Sequence, residues 1–127
     1  MIAADPLTRP DFDYEALKEI FGNNSDALRK ALRRFDESLV SDLADLKRAL
    51  QAHDVLQTEL IAHRLKGAAM VAGANALADA SQTLEVAARN ASNPDWSALS
   101  DLMHHVTRAT DALAVLIREK RDTPLLN

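Results

Sequence analysis

A histidine, a lysine and a glycine at offsets of zero, three and four stand in the run Ala62-His63-Arg64-Leu65-Lys66-Gly67-Ala68-Ala69. Those offsets share one face of a helix. A neutral imidazole has one donor and one acceptor nitrogen, so a carboxylate accepting from one leaves the other free as a nucleophile. An ammonium one turn away offers charge to a phosphoryl group gained or lost by the ring. Glycine inside a helix costs about 1 kcal/mol relative to alanine, so Gly67 requires a reason. A side chain there would lean toward the helix N-terminus and over His63. Bare backbone is expected to let a partner approach the ring closely.

The elements around this run supply the missing carboxylate. Gly73-Ala74 reads as a tight turn between two antiparallel helices, with His63 ten residues before Gly73 and Gln82, Glu85 and Arg89 nine, twelve and sixteen after it. At a rise of about 1.5 Å per residue, Gln82 and Glu85 come roughly level with His63, and Arg89 lies beyond them. Glu85 is the expected acceptor from the imidazole, with Gln82 as its substitute. Arg89 is expected to add charge or to dock an acidic partner.

The rest of the chain reads as helices holding those two carriers. Residues 1–10, with two prolines and no periodicity, suit a lead-in or linker. Asp11 to Phe21 suits a short helix through Phe12, Leu17, Ile20 and Phe21, stopped by Gly22 as C-terminal cap. Asn24 or Ser25 then caps a long helix. Its stripe of Leu28, Leu32, Phe35, Leu39, Leu43, Leu46 and Leu50 faces a core, while Asp36, Asp42 and several basic residues fall on other faces. His53-Asp54 breaks it, and Asp54 caps a third helix to about Ala72, whose inward face is Ile61, Ala62, Leu65, Ala68, Ala69 and Ala72. A fourth helix spans about Asn75 to Asn90. The Ser92-Asn93-Pro94-Asp95 loop leads to a fifth, capped by Asp95 or Ser97, with Leu99, Leu102, Met103, Val106, Ala109, Leu113 and Leu116 buried. The pattern fades after Arg118, leaving 122–127 as a tail. The expected fold is all-α: an antiparallel up-and-down four-helix bundle over residues 11–121 with a short additional N-terminal helix.

Composition agrees. One domain is expected from 127 residues, 47% of them apolar, with aromatics at 4% and three glycines and four prolines. Absence of cysteine rules out disulfides and thiolate metal sites. A net charge of −4 disfavours non-specific nucleic-acid binding. No apolar run approaches the roughly 18 residues of a membrane span, and Met1 to Pro10 does not read as a signal peptide. The expectation is a cytoplasmic monomer with no membrane contact.

The run His63-Arg64-Leu65-Lys66-Gly67, followed by Gly73, Leu77 and Leu84-Glu85, resembles the signature of the histidine-containing phosphotransfer domain. The likeness is sharpest over residues 56–89 and extends through the helical pattern to residues 11–118. It implies a four-helix bundle with an exposed histidine phosphorylated on a ring nitrogen, and two-component phosphorelay partners. Carried over, His63 is the phosphoacceptor, Lys66 supports the phosphate, Gly67 gives clearance for a receiver and Glu85 orients the imidazole. Arg89 matches a position that is often basic. Arg64, Met70 and Val71 fall at variable positions with room to tune partner choice. The expected partners are response-regulator receiver domains, which supply the acidic pocket and the Mg2+, and a hybrid sensor histidine kinase. Arg64 stands where the dimerisation helices of histidine kinases carry Glu or Asp, and no glycine-rich nucleotide loop is present. The chain is thus expected to have no kinase activity and no cofactor of its own. It reads equally as a stand-alone protein or as a domain of a hybrid kinase.

Other residues read as structural. His53 sits at a helix junction, His104 and His105 flank core positions, and Trp96 packs at the start of the last helix; none forms a metal-ligand pattern. Arg29, Lys30, Arg33 and Arg34 form a solvated basic face able to steer an acidic partner. The competing function is a helical adaptor or inhibitor that binds a receiver without carrying phosphate.

Overall fold

Asp13, Asn24, Asp54 and Asp95 each accept a hydrogen bond from the backbone N–H three residues on, at 3.0–3.1 Å. These caps satisfy amide groups that a first helical turn leaves without partners. They begin α1 (Tyr14–Phe21), α2 (Ser25–Gln51), α3 (Val55–Val71) and α5 (Trp96–Asp122), while α4 (Asn75–Arg89) starts without a side-chain cap. The computed structural model describes residues 12–22, 24–90 and 92–122. The expected lead-in, Asp11, Asn23, Ala91 and residues 123–127 lie outside the described residues.

The packing order is α2 on α3, α3 on α4, α4 on α5 and α5 back on α2, with α1 laid against α2. This closes the expected all-α bundle, and no strand occurs among the described residues. Its centre is aliphatic, with Leu39, Leu46, Leu65, Leu77, Leu84, Val106 and Ile117 fully buried. No described helix is long and apolar enough to cross a membrane.

Several expectations are corrected in detail. Helix α1 begins at Tyr14 because Asp13 serves as its cap; Phe12 precedes the helix and packs on the core, and Ile20 is exposed. Ile117, not Leu116, fills the last core position of α5. That helix continues to Asp122 because polar contacts replace the fading apolar stripe. Arg118 and Arg121 reach Asp36 at 3.2 and 3.4 Å, and the Lys120 ammonium lies 5.0 Å from the Tyr14 ring centroid. Asp36 and Asp42 are buried instead of facing solvent, and Arg64 of α3 reaches Asp42 at 2.7 Å. An arginine from the adjoining helix makes such a boundary carboxylate tolerable.

Helices α2 and α3 end alike. Asp54 and Ala74 donate to Ala49 and Ala69 at 2.9 and 2.8 Å, and the preceding residues His53 and Gly73 take φ of 54° and 65°. Both ends are Schellman turns. His53 uses its left-handed backbone to stack on Trp96, ring centroids 4.4 Å apart. Gly73 has a second constraint, since an added Cβ would lie 2.6 Å from the Asp13 Cβ. There Asp13 also donates its backbone N–H to Ala72. Gly73→Ala should therefore destabilise the chain by about 1–3 kcal/mol in urea unfolding. An unchanged midpoint would show that the α1 junction yields without cost.

Candidate functional site

Five side chains bridge α3 and α4 in two level rungs, one helical turn apart. In the first rung, His63 Nδ1 lies 2.8 Å from Glu85 Oε2, and Lys66 Nζ lies 3.0 Å from Glu85 Oε1. In the second, Arg89 donates from Nε to Glu59 Oε1 at 2.9 Å and from NH2 to Glu85 Oε2 at 2.6 Å. Small residues permit this closeness: Ala62, Ala69 and Ala88 are fully buried, and α3 packs on α4 more extensively than any other pair.

Glu85 is the hub. Its side chain is 2% exposed against 64% for His63. Burial pushes its carboxyl up, but the Lys66 ammonium and the His63 ring together outweigh that and hold it below the ordinary carboxylate range. An ionised carboxylate only accepts, so the proton on Nδ1 belongs to the imidazole. In the neutral ring the lone pair is then on Nε2, which has no hydrogen-bond partner among the described residues and sits on an exposed side chain.

Three expected residues stand differently. Gln82 is exposed and makes no hydrogen bond to His63. Three residues turn a helix by about 300°, so Gln82 and Glu85 project roughly 60° apart, and Glu85 has the side facing α3. Lys66 is not a free cation, because its ammonium is shared with the carboxylate that holds the imidazole. Arg89, expected beyond Glu85, reaches back to it.

Glu59 is the polar residue that sequence reasoning missed. It stands four residues before His63 on the same face of α3, and its pairing with Arg89 depends on α4. Of an exposed apolar surface, Met70 and Val71 were marked as positions that tune partner choice, while Leu56, Leu60 and Val86 were missed. Leu56, Leu60, Met70 and Val71 are exposed on α3 above and below His63 and Gly67, and Val86 is exposed beside Glu85. On α3 their signal is a second stripe that His63 and Gly67 complete at spacings of three and four, out of phase with the buried one. Nothing lies within 4 Å of a Cβ built on Gly67. No contact among the described residues requires glycine there.

No group of three or more metal-binding side chains occurs among the described residues. His104 and His105 are exposed, Trp96 is half-buried under His53, and Lys30, Arg33 and Arg34 are exposed on α2.

The site is thus an exposed imidazole held by a buried carboxylate on a four-helix bundle. The family model described as Hpt domain matches residues 30–117, and the chain belongs to that family. Its role is histidine phosphotransfer in phosphorelays. The crystal structure of histidine-containing phosphotransfer protein B (HptB) from Pseudomonas aeruginosa PAO1 is similar over 90% of this chain and 96% of that chain, with 25% identity and a TM-score of 0.78. No curated protein matches the sequence.

Proposed function

We propose that His63 Nε2 takes a phosphoryl group from the aspartyl phosphate of one receiver domain and passes it to the aspartate of another. The first receiver would belong to a hybrid sensor kinase. The observation that carries this reading is the 2.8 Å contact between Nδ1 and buried Glu85, which leaves Nε2 outward on a ring 64% exposed. The Nε2 lone pair attacks phosphorus, the P–O bond to the aspartate breaks, and its electron pair stays on the departing carboxylate. The phosphorylated ring keeps its Nδ1 proton and is cationic, so the Glu85 carboxylate stabilises the state that forms. Lys66 is close enough to shift from Glu85 Oε1 toward the incoming phosphoryl oxygens. The reverse steps pass the group on.

Leu56, Leu60, Met70, Val71 and Val86 offer the receiver an apolar seat around the ring. Incubation with a phosphorylated receiver should give an acid-labile, base-stable label on His63. Receiver binding with no label would favour the adaptor reading, and a label elsewhere would move the acceptor off His63.

Gly67 supports docking by a large donor. Gly67→Ala should raise stability by about 0.5–1 kcal/mol, the helix-propensity difference, because the added methyl meets only open space. Gly67→Gln should fold yet accept phosphoryl from a receiver at least roughly tenfold more slowly, a 1 Å misplacement alone costing about that or more. It should keep its rate with phosphoramidate, a small donor. Equal slowing with both donors would place the fault in His63 itself.

A further inference from the structure

Resting on the phosphoacceptor reading of His63, we propose that Glu59 is a positioning residue that keeps the phosphorylated histidine short-lived, by holding Arg89 and by placing like charge beside the phosphoryl group. Two observations carry it. Glu59 lies one turn before His63 on the same face of α3, so its carboxylate adds negative charge to the surface that holds the ring. Glu59 also binds Arg89 at 2.9 Å, dividing that guanidinium between itself and Glu85.

The charges show why this matters. In the resting site Glu59 and Glu85 face Lys66 and Arg89, two against two, around the imidazole. Phosphorylation adds a phosphoryl group with two negative charges at Nε2. Beside Lys66, the half-exposed Arg89 is a second cation able to turn toward it, and Glu59 competes for it. As the P–Nε2 bond breaks and its electron pair returns to nitrogen, the phosphoryl group passes from two negative charges toward the single charge of a loose, metaphosphate-like transition state. A cation on those oxygens therefore slows loss, and a neighbouring anion speeds it. In hydrolysis the P–Nε2 bond breaks and its electron pair returns to nitrogen. Water's oxygen joins phosphorus, and both water protons leave with dihydrogen phosphate.

The test loads the full chain with phosphoramidate, which needs no receiver, and follows the label on His63 by 31P NMR. Glu59→Gln should lengthen the half-life roughly two- to fivefold, the effect of one partly exposed ion pair. Glu59→Lys should lengthen it further. High salt should narrow the gap, because near 1 M the screening length is about 3 Å. In an Arg89→Gln background the effect of Glu59→Gln should shrink, leaving only the like-charge part. A structural role alone would shift thermal stability and leave the half-life unchanged. Label on His63 with equal or shorter half-lives in Glu59→Gln overturns this inference alone. Absence of label on His63 overturns it together with the phosphoacceptor reading. Label from phosphoramidate but none from any receiver overturns the relay step and, with a lengthened half-life, still supports the role of Glu59.

Discussion

His63→Gln should carry no phosphoryl label from any phosphorylated receiver while remaining folded and bound to that receiver. Glutamine has no nitrogen lone pair comparable to that of imidazole, because its amide nitrogen is delocalised into the carbonyl. The loss is therefore total, beyond the 10²–10⁴-fold typical of a lost acid–base group. Stability should change by less than about 0.5 kcal/mol, as for surface substitutions away from buried features. The His63 side chain is 64% exposed, and a glutamine amide can still donate toward Glu85. Binding should persist because the apolar seat of Leu56, Leu60, Met70 and Val71 is untouched. Residual acid-labile label on the variant, read by mass spectrometry of the intact chain, would move the acceptor to another histidine, of which the sequence offers His53, His104 and His105.

Glu85 carries the second large effect, on activity and stability together. Glu85→Ala removes the acceptor that fixes the Nδ1–H tautomer and leaves Lys66 and Arg89 without their shared partner. Phosphotransfer should fall on the order of 10²-fold, the scale of a mispositioned acid–base group. Unfolding free energy should drop by about 1–3 kcal/mol, from a broken buried network and the small cavity left behind. Glu85→Gln keeps an acceptor oxygen at nearly the same place and should retain more transfer than the alanine variant.

The acid limb separates charge from shape. Because the folded carboxyl is held below its ordinary value of 4.5, the unfolded chain binds the proton more readily. Its stabilisation is complete above that value, declines below it, and is gone once pH falls through the lowered folded value. Urea midpoints measured from neutral pH downward should show this loss in the native chain and a shallower one in Glu85→Gln. Identical acid limbs would mean that Lys66 and His63 do not favour the ionised form enough to outweigh burial.

The histidine-lysine-glycine patch and its partner at Glu85 were legible in the chain because both rest on local rules. Offsets of three and four define a helical face, and a tight turn at Gly73 sets which residues of two antiparallel helices come level. The bundle itself was legible for the same reason, since stripes such as Leu28 to Leu50 state which side of each helix is buried. Asn24, Asp54 and Asp95 announced their helices by the same local chemistry.

Rotation and reach were not legible. Gln82 and Glu85 differ by roughly 60° about one helix axis, and only the packed pair decides which of them meets the imidazole. The burial of Asp36 and Asp42 depends on arginines that are distant in sequence or on another helix, Arg118 and Arg64. The Glu59–Arg89 rung spans thirty residues. A helical pattern assigns a polar residue to solvent, and it takes a neighbouring helix to supply a counter-charge that makes burial favourable. By itself, then, the sequence determined which helices form, which faces they bury and which histidine stands opposite a carboxylate. Tertiary structure alone decided that this one carboxylate is shared by an imidazole, an ammonium and a guanidinium, because long side chains choose their partners only once the helices are rotated against each other.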